Sequence, residues 1–253
     1  MTKWSIITGA GTGIGRALAL ELVAQGWRVL AVGRREALLQ ELAEQTSGAV
    51  KALAADVADP STGARIEQAL GEGSLELLVH NAAVLEPSGP LETISREAFR
   101  EHVAINLEAP LFLTQALLPR LVPESRVLHI SSGAAHRNLP GWGPYCTSKA
   151  ALYQLYRCLR EELAPRRVHV GSARPGVVDT PMQEHIRGLS EERFPDVNMF
   201  RQLKAEGQLT SSEDAARFLS WLLLKTDPEY FAEREYDIRE PELRSLWSPE
   251  SGG

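Results

Sequence analysis

A tyrosine and a lysine are spaced in this sequence so that the charge of the lysine could help the tyrosine to release a proton. Tyr145 and Lys149 lie in the stretch GPYCTSKAAL, residues 143–152, where a helical pattern begins. Positions i and i+4 share one face of a helix, with Cβ atoms about 5–6 Å apart. A lysine ammonium at that distance favours the phenolate, so we expect the pKa of Tyr145 to fall below its ordinary value of about 10. Such a tyrosine can act as a general acid or base. The alternative is a packed tyrosine beside a solvent-facing lysine.

The pattern of apolar segments predicts the fold that would position this pair. Strands are predicted at 4–8, 28–32, 50–55, 75–80, 126–130 and 167–173, and helices at 14–25, 36–45, from near 60, at 95–122 and from 145. Strands rich in Leu, Val and Ile that alternate with helices are typical of a parallel sheet covered on both faces. We therefore predict an α/β fold, with residues 1–253 forming a single-domain, Rossmann-type, doubly wound sheet.

Residues 180–208 interrupt this alternation because they are polar and only weakly periodic. Ligands of a doubly wound sheet bind at the carboxyl ends of the strands. Long loops at such sites are often functional, so we expect this insertion to cover a substrate, with simple surface packing as the alternative. The last residues, 248–253, are expected to be frayed.

Composition and charge exclude several classes of protein. The chain is 43% hydrophobic and 24% charged, and its net charge of −6 argues against a nucleic-acid partner. The first residues, MTKWSIITGAG, lack the apolar run of a secretory signal, and no segment approaches the ~20 apolar residues of a membrane span. Cys146 and Cys158 fall on one predicted helix, roughly 18 Å apart and beyond disulfide reach. We expect a cytoplasmic protein that binds neither nucleic acid nor membrane.

The stretch TGAGTGIG, residues 8–15, is suited to bind a dinucleotide, because it follows the first predicted strand and opens the first helix. Glycines let the backbone approach a pyrophosphate, and a helix N-terminus offers free N–H groups. The spacing departs from G-x-G-x-x-G, since position 14 is Ile. Cofactor contacts are predicted from Gly9, Thr12, Gly13, Ile14 and Gly15. A glycine-rich turn that binds no ligand is the alternative.

The end of the second strand favours NADP over NAD. An NAD site would carry Asp or Glu there to bond the ribose 2′-hydroxyl, whereas this chain has Gly33 followed by Arg34 and Arg35. A guanidinium group pairs well with a 2′-phosphate. Two solvated arginines near a helix start are the alternative.

A further cofactor contact is expected at Asp56 and Val57, which follow the third strand. The Asp56 carboxylate is placed to accept a hydrogen bond from an adenine amino group. A helix-capping role for Asp56 or Asp59 is the alternative.

The motifs and their order resemble the short-chain dehydrogenase/reductase family along nearly the whole chain. The matching segments are TGAGTGIG (8–15), HNAA (80–83), NL (106–107), HISS (129–132), YCTSK (145–149) and RPGVVDT (174–180). Within the family, GWGPYCTSKAA and VVDTPMQ resemble the sepiapterin reductases and the bacterial benzil reductases. His80 and Ala83 depart from the family's usual N-N-A-G.

The resemblance implies a role for each residue that matches a family motif. Tyr145 is expected to be the acid/base, and Lys149 to lower its pKa and bind the nicotinamide ribose. Ser132 is expected to polarise the substrate carbonyl, and Asn106 to anchor a proton-relay water near the lysine. The remaining cofactor contacts are expected from Asn81, Pro175, Gly176, Val178 and Thr180.

The sequence also supports Asn106 independently of the resemblance. Pro110 lies four residues on and has no N–H, so it cannot bond the Asn106 carbonyl in helical fashion. That carbonyl is left free to hold a water, unless Pro110 merely starts a new helical segment. Ser131 is less suited than Ser132 to the carbonyl-polarising role, because its spacing to Tyr145 is one residue too long.

The predicted function is NADPH-dependent reduction of a ketone, specifically one carbonyl of a vicinal dicarbonyl resembling sepiapterin or benzil. Trp142 and Met182 are expected as apolar walls for the substrate. Asp237, in FAEREYDI, is expected to anchor it, or else to be an ordinary charged residue in an edge strand. An NAD-linked secondary alcohol dehydrogenase and an NADP-binding sensor without turnover remain alternatives. The resemblance also implies a homodimer or tetramer and calls for no metal.

Overall fold

Seven parallel strands form one sheet in the computed structural model, which describes residues 3–248. The strands are β1 (Lys3–Thr8), β2 (Arg28–Gly33), β3 (Val50–Ala54), β4 (Ser74–His80), β5 (Leu121–Ile130), β6 (His169–Arg174) and β7 (Glu235–Asp237). Their order across the sheet is β3-β2-β1-β4-β5-β6-β7. The predicted α/β doubly wound sheet is confirmed.

The order in which successive strands are added to the sheet changes direction between β1 and β4. Strands are added outward from β1 to the β3 edge, and the next strand, β4, pairs with β1 on its other side. The two carboxyl ends are tied together by Thr8, whose Oγ1 accepts from the backbone N–H groups of Asn81 (3.0 Å) and Ala82 (3.1 Å). Ligands of open α/β sheets bind at such a switch point.

Helices cover both faces of the sheet. Within residues 3–248 the α-helices are α1 (Gly13–Ala24), α2 (Glu36–Gln45), α3 (Thr62–Leu70), α4 (Arg96–Val103), α5 (Ala109–Leu117), α6 (Gly143–Leu163), α7 (Pro181–Arg187), α8 (Val197–Ala205), α9 (Ser212–Leu224), α10 (Pro228–Glu233) and α11 (Pro241–Trp247). Successive strand residues point to opposite faces. Ile7 therefore packs with Leu18 and Phe218 on one side, whereas Ile6 packs with Leu113 and Tyr156 on the other.

The helix predicted over 95–122 is interrupted in the structure, and it ends earlier than predicted. A π-helical turn at Ala104–Glu108 separates α4 from α5. Pro110 has no N–H for the Asn106 carbonyl, so the regular ladder of i→i−4 hydrogen bonds cannot continue there. The prediction is wrong at 121–122, because Leu121 pairs with Leu75 and begins β5.

The segment 180–208 contains α7 and α8 and contributes to a third apolar cluster, separate from the two beside the sheet. Cys146 and Cys158 both lie on α6 as predicted, and both are free thiols. Within residues 3–248, no helix has the length and apolar character needed to cross a bilayer. The expectation for the last residues falls outside the described range from residue 249 onward.

Candidate active site

One elongated cleft crosses the carboxyl ends of the strands. Its cavity of about 460 Å³ extends from Arg34 and Arg35, after β2, to Tyr145 and Lys149 on α6. All the residues expected to bind the cofactor line this cleft except Gly15: Gly9, Thr12, Gly13, Ile14, Arg34, Arg35, Asp56, Val57, Asn81, Tyr145, Lys149, Pro175, Gly176, Val178 and Thr180.

The glycine-rich turn after β1 leaves no room for side chains. Gly9 and Gly13 have φ angles of 68° and 54°. A Cβ on Gly9 would lie 2.9 Å from Ala82 Cα, and one on Gly13 would lie 2.9 Å from Thr180 Cγ2. Gly15 instead lets α1 pack closely against the turn after β1, since a Cβ there would lie 2.5 Å from the Gly9 carbonyl oxygen. This backbone cradle at the N-terminus of α1 fits a pyrophosphate.

The end of the cleft next to β2 carries positive charge. Gly33 ends β2 and lines the cleft together with Arg34 and Arg35. The guanidinium of Arg35 donates to Thr12 Oγ1 at 2.8 Å, which draws it toward the glycine-rich turn. No carboxylate occupies the strand end where an NAD site would carry one.

Asp56 lines the cleft and stabilises the turn after β3. Its Oδ1 accepts from Ala58 N at 3.0 Å, and Asp59 Oδ1 accepts from Ser61 N at 2.8 Å. Ser61 is the N-cap residue of α3, so neither aspartate caps the helix.

Ser132, Tyr145 and Lys149 come together at the end of the cleft nearest β5. Ser132 follows that strand and lines the cleft together with Tyr145, and its Oγ accepts from Ala134 N at 3.1 Å. Lys149 Nζ donates to the Ile130 carbonyl at 2.8 Å and lies 5.8 Å from the centroid of the Tyr145 ring. The structure therefore places the three predicted catalytic side chains around one point.

Burial sets the pKa values of this group. Burial raises the pKa of the Tyr145 phenol, the hydrogen bond from Ser132 lowers it, and Cys146 raises it further. The predicted fall of the Tyr145 pKa below its ordinary value is therefore wrong. Tyr145 is only 8% exposed, and the Lys149 ammonium donates to the Ile130 carbonyl rather than to the phenol. Burial also lowers the pKa of Lys149 to about 8, against an opposing effect of Glu235.

Asn106 lies behind this group and does not line the cleft. It belongs to the π-helical turn and is 1% exposed. Its Oδ1 accepts from Val84 N and its Nδ2 donates to Val84 O, both at 2.9 Å. Pro110 lies in the first turn of α5, so it both starts a helical segment and withholds an N–H from the Asn106 carbonyl.

Apolar side chains also line the cleft near Tyr145. Trp142 and Met182 line it as predicted, and Phe200 of α8 lines it as well. The Trp142 ring stacks on Phe194 at 4.4 Å between centroids and meets the Tyr145 ring edge-on at 5.6 Å. Trp142 thus connects the 180–208 segment to the predicted acid/base.

Asp237 is not brought into this group. It ends β7, is 5% exposed and does not line the cleft, whereas Arg239 does. Its carboxylate accepts from Arg239 Nε at 2.9 Å and Nη2 at 2.6 Å, and Arg174 Nε lies 3.4 Å away. Burial raises the pKa of Asp237, but the bonds from Arg239 outweigh it and lower the pKa overall. The structure gives this carboxylate internal partners.

Sequence reasoning missed His102. This fully buried side chain of α4 lies one helical turn before Asn106, with its Nε2 2.8 Å from Ser148 Oγ and 3.0 Å from Asn106 Nδ2. The four-residue spacing between His102 and Asn106 is the signal that predicts their contact on a helix.

Comparison with known proteins gives consistent matches over most of the chain. A family model described as short chain dehydrogenase matches residues 3–189. The benzil reductase ((S)-benzoin forming) of Bacillus cereus is 34% identical in an alignment of 233 residues, which covers 87% of this chain and 94% of that protein.

Solved structures agree with this relationship. A short chain dehydrogenase/reductase from Saccharomyces cerevisiae is similar with a TM-score of 0.89 and 30% identity, over 98% of this chain and 100% of that one. A 3-ketoacyl-(acyl-carrier-protein) reductase from Brucella melitensis, complexed with NADH, has a TM-score of 0.79 and 26% identity, over 93% of this chain and 96% of that one.

Proposed function

The chain belongs to the short-chain dehydrogenase family and is an oxidoreductase, and we propose that it uses NADPH to reduce one carbonyl of a vicinal dicarbonyl. The observation that carries the proposal is the convergence of Ser132, Tyr145 and Lys149 at one end of a cleft that Arg34 lines at the other. A dinucleotide spanning this cleft would bring its nicotinamide to the three side chains.

The cofactor would be held by backbone and charge together. The turn containing Gly9 and Gly13 leaves room for the pyrophosphate to approach the backbone. Arg34 would pair with a 2′-phosphate. Lys149 is the group that would bind the nicotinamide ribose. When bound, the reduced nicotinamide supplies the hydride that the protein cannot provide.

The chain's own residues supply the proton and stabilise the developing charge. Ser132 would donate a hydrogen bond to the substrate oxygen as negative charge develops there. The Tyr145 phenol, whose pKa burial raises, is protonated at neutral pH and would give its proton to the same oxygen. Lys149, with its ammonium beside the ring, would favour the phenolate that remains.

A vicinal dicarbonyl suits the apolar side of the cleft. The second carbonyl withdraws electron density from the first, so hydride addition becomes easier. Aromatic surface packed on Trp142 and Met182 would contribute about 25 cal/mol per Å² of buried apolar area. The name of the Bacillus cereus relative, which reduces benzil to (S)-benzoin, supports this class of substrate.

The segment 180–208 would cover that substrate. Met182 and Ile186 of α7 and Phe200 of α8 all line the cleft. Their side chains pack with Trp142 in the third apolar cluster. A cover of this kind excludes water from the reacting carbonyl.

A carbonyl panel with paired cofactors tests the proposal. We expect benzil-like aryl dicarbonyls to be reduced faster than simple ketones, with a higher kcat/KM for NADPH than for NADH in absorbance assays. Oxidation of secondary alcohols with NAD in preference to these reactions would favour an alcohol dehydrogenase. Binding of NADP without consumption of NADPH on any carbonyl would favour a sensor.

A double variant tests the cofactor assignment separately. Replacing Gly33→Asp and Arg34→Ala substitutes a repulsive group for an attractive one at the 2′-phosphate. A charge-assisted hydrogen bond contributes about 1.5–3 kcal/mol, so the NADPH/NADH ratio of kcat/KM should fall at least tenfold. Arg35→Ala is the matched comparison, since Arg35 already donates to Thr12. A wild-type preference for NADH would reject the assignment.

A further inference from the structure

His102 connects three segments of the chain through both nitrogens of its ring. The side chain is fully buried on α4 and does not line the cleft. Nδ1 lies 2.8 Å from the Glu86 carbonyl oxygen, in the loop after β4. Nε2 lies 2.8 Å from Ser148 Oγ, on α6, and 3.0 Å from Asn106 Nδ2, in the π-helical turn.

These contacts determine the tautomer of the ring. A backbone carbonyl can only accept, so Nδ1 carries a hydrogen and donates it to Glu86. In the neutral ring Nε2 is then an acceptor. Burial lowers the pKa of His102, the bond to Glu86 raises it, and the charge of Lys149 lowers it again, with a net lowering that favours the neutral ring. The Tyr145 ring is the other titratable group that faces it, at 6.3 Å between centroids.

The acceptor at Nε2 completes the hydrogen bonding of the Asn106 amide. The Val84 N–H donates to Oδ1 of this side chain, and the Val84 carbonyl accepts one of its two Nδ2 hydrogens. The second Nδ2 hydrogen has His102 Nε2 at 3.0 Å and Ser148 Oγ at 3.3 Å within reach. A buried N–H without a partner is costly. The His102–Ser148 pair therefore fixes the orientation of the amide.

The same pair reaches the first turn of the helix that carries the proposed acid/base. Ser148 immediately precedes Lys149 and is 2% exposed. Its Oγ also lies 3.1 Å from the Tyr145 carbonyl oxygen. A displacement of Ser148 would therefore move the backbone between Tyr145 and Lys149.

We propose that His102 is a positioning residue for the reduction. By accepting a hydrogen bond at Nε2, it keeps the Asn106 side chain in a fixed position relative to the turn of α6 that carries Tyr145 and Lys149. This inference rests on the proposed function and deepens it, because His102 acts through residues assigned to the reaction and touches no substrate.

A second buried histidine provides a matched control. His80 Nε2 lies 2.8 Å from Thr114 Oγ1, the same distance as between His102 and Ser148. His80 is 3% exposed and Thr114 is 2% exposed. Thr114 hydrogen-bonds onward to the Pro110 carbonyl and to none of the catalytic side chains. Ser148→Ala and Thr114→Val each delete one buried hydroxyl bonded to a histidine.

The experiment compares four variants in the reduction of benzil by NADPH. His102→Leu is expected to lower kcat by about 10- to 100-fold, because small displacements of catalytic groups have effects of this size. Its KM for NADPH should change by less than about twofold. His102→Gln, whose amide oxygen can accept in place of Nε2, should recover most of the loss. Ser148→Ala should lower kcat, whereas Thr114→Val should leave it within about twofold of wild type. Circular dichroism and urea melts confirm that each protein is folded at the assay temperature.

Nitrogen-15 NMR of the NADP-bound protein tests the network without turnover. We expect the His102 signals of a neutral ring with hydrogen on Nδ1 from about pH 6 to 8. A ring with hydrogen on Nε2 would overturn the inference. Equal kcat values for His102→Leu and Thr114→Val would also overturn it, as would a Gln variant no better than Leu. A wild type that reduces no carbonyl would reject the proposed function, and the NMR signals would still decide whether Nε2 accepts.

Discussion

Tyr145 lies between two regions that are held together by different interactions. On one side a polar wall, formed by His102, Asn106 and Ser148, consists of hydrogen bonds of 2.8–3.3 Å between buried atoms. On the other side is an apolar wall, formed by Trp142, Met182, Phe194 and Phe200, where rings pack at 4.4–5.4 Å between centroids.

The two kinds of contact affect the proposed reaction differently, because the polar wall lies behind the cleft whereas Trp142, Met182 and Phe200 line it. Hydrogen bonds are directional and weaken steeply with angle, so the polar wall fixes the orientation of the groups that would transfer the proton. Apolar packing is nondirectional and scales with area. We therefore expect changes in the polar wall to alter kcat, and changes in the apolar wall to alter KM and substrate choice.

The two walls also differ in how firmly they are attached to the sheet. The polar wall lies on α4, α6 and the turn between α4 and α5. The apolar wall includes residues of α7 and α8, and the Glu86 carboxylate joins α7 and the connection between these two helices to the loop after β4. It accepts from His185 Nε2 at 2.7 Å and from Arg193 Nη2 at 2.9 Å. Glu86 is 41% exposed in these pairs, and exposed ion pairs contribute little. These ion pairs should therefore contribute little to the attachment of this segment, which depends on the packing of its buried apolar side chains.

The largest effect is expected at the residue between the walls. Tyr145→Phe removes the proposed proton donor and keeps the ring that packs on Trp142. We expect kcat to fall by about 10²–10⁴-fold, the usual share of a general acid, with NADPH binding nearly unchanged. Stopped-flow single turnovers and fluorescence titration with NADPH separate the two quantities. Undiminished turnover by the folded variant would reject the mechanism.

The second prediction concerns the free energy of unfolding and the buried lysine. Burial lowers the pKa of Lys149 from 10.5 to about 8. Between these two values the unfolded chain retains a proton that the native chain has released. Wild-type stability should therefore rise with pH from 8 upward, relative to Lys149→Met, by up to about 1.4 kcal/mol per pH unit. Urea unfolding of both proteins at pH 7, 8 and 9 measures this difference. A constant difference across the series would contradict the lowered pKa.

The third prediction tests the apolar wall. Met182→Ala shortens a half-buried side chain that lines the cleft. We expect KM for aryl dicarbonyls to rise about 3- to 10-fold through lost apolar contact, with kcat within about twofold. Steady-state kinetics on benzil and on a small aliphatic dicarbonyl provide the comparison. A large loss of kcat without a change in KM would mean that the apolar wall also sets the reacting geometry.

The smallest effect is expected at Asp237, which lies outside both walls. Its carboxylate is already bonded to Arg239 and does not line the cleft, so Asp237→Asn should change sepiapterin and benzil reduction equally, by about twofold or less. Benzil has no N–H group for a carboxylate to bind. A loss confined to sepiapterin would therefore assign Asp237 to the substrate, as the sequence suggested.

Much of the site was predictable because it depends on local pattern. The segment 8–15 had to be a tight turn between a strand and a helix, and the i, i+4 spacing of Tyr145 and Lys149 placed both on one helical face. The carboxyl ends of parallel strands lie at the same edge of a sheet. For this reason Gly9, Asp56 and Ser132 could be assigned to one cleft before their distances were known.

Other features depended on neighbours distant in the chain. The sequence could not show that burial raises the pKa of Tyr145, because desolvation depends on all the surrounding elements. Nor could it show that Asp237 is bonded to Arg239, because a side chain chooses among partners only once both are placed.

The sequence by itself determined the sheet, the glycine-rich turn and the residue types that can move a proton. Each follows from spacing along the chain and the geometry of a strand or helix. The tertiary structure decided which of those residues are buried and what they are bonded to. His102 shows the difference, since its role depends on Ser148, 46 residues away, and on the Glu86 carbonyl, 16 residues away. Hydrogen bonds act over about 3 Å in space, and separation along the chain does not reveal which atoms will come that close.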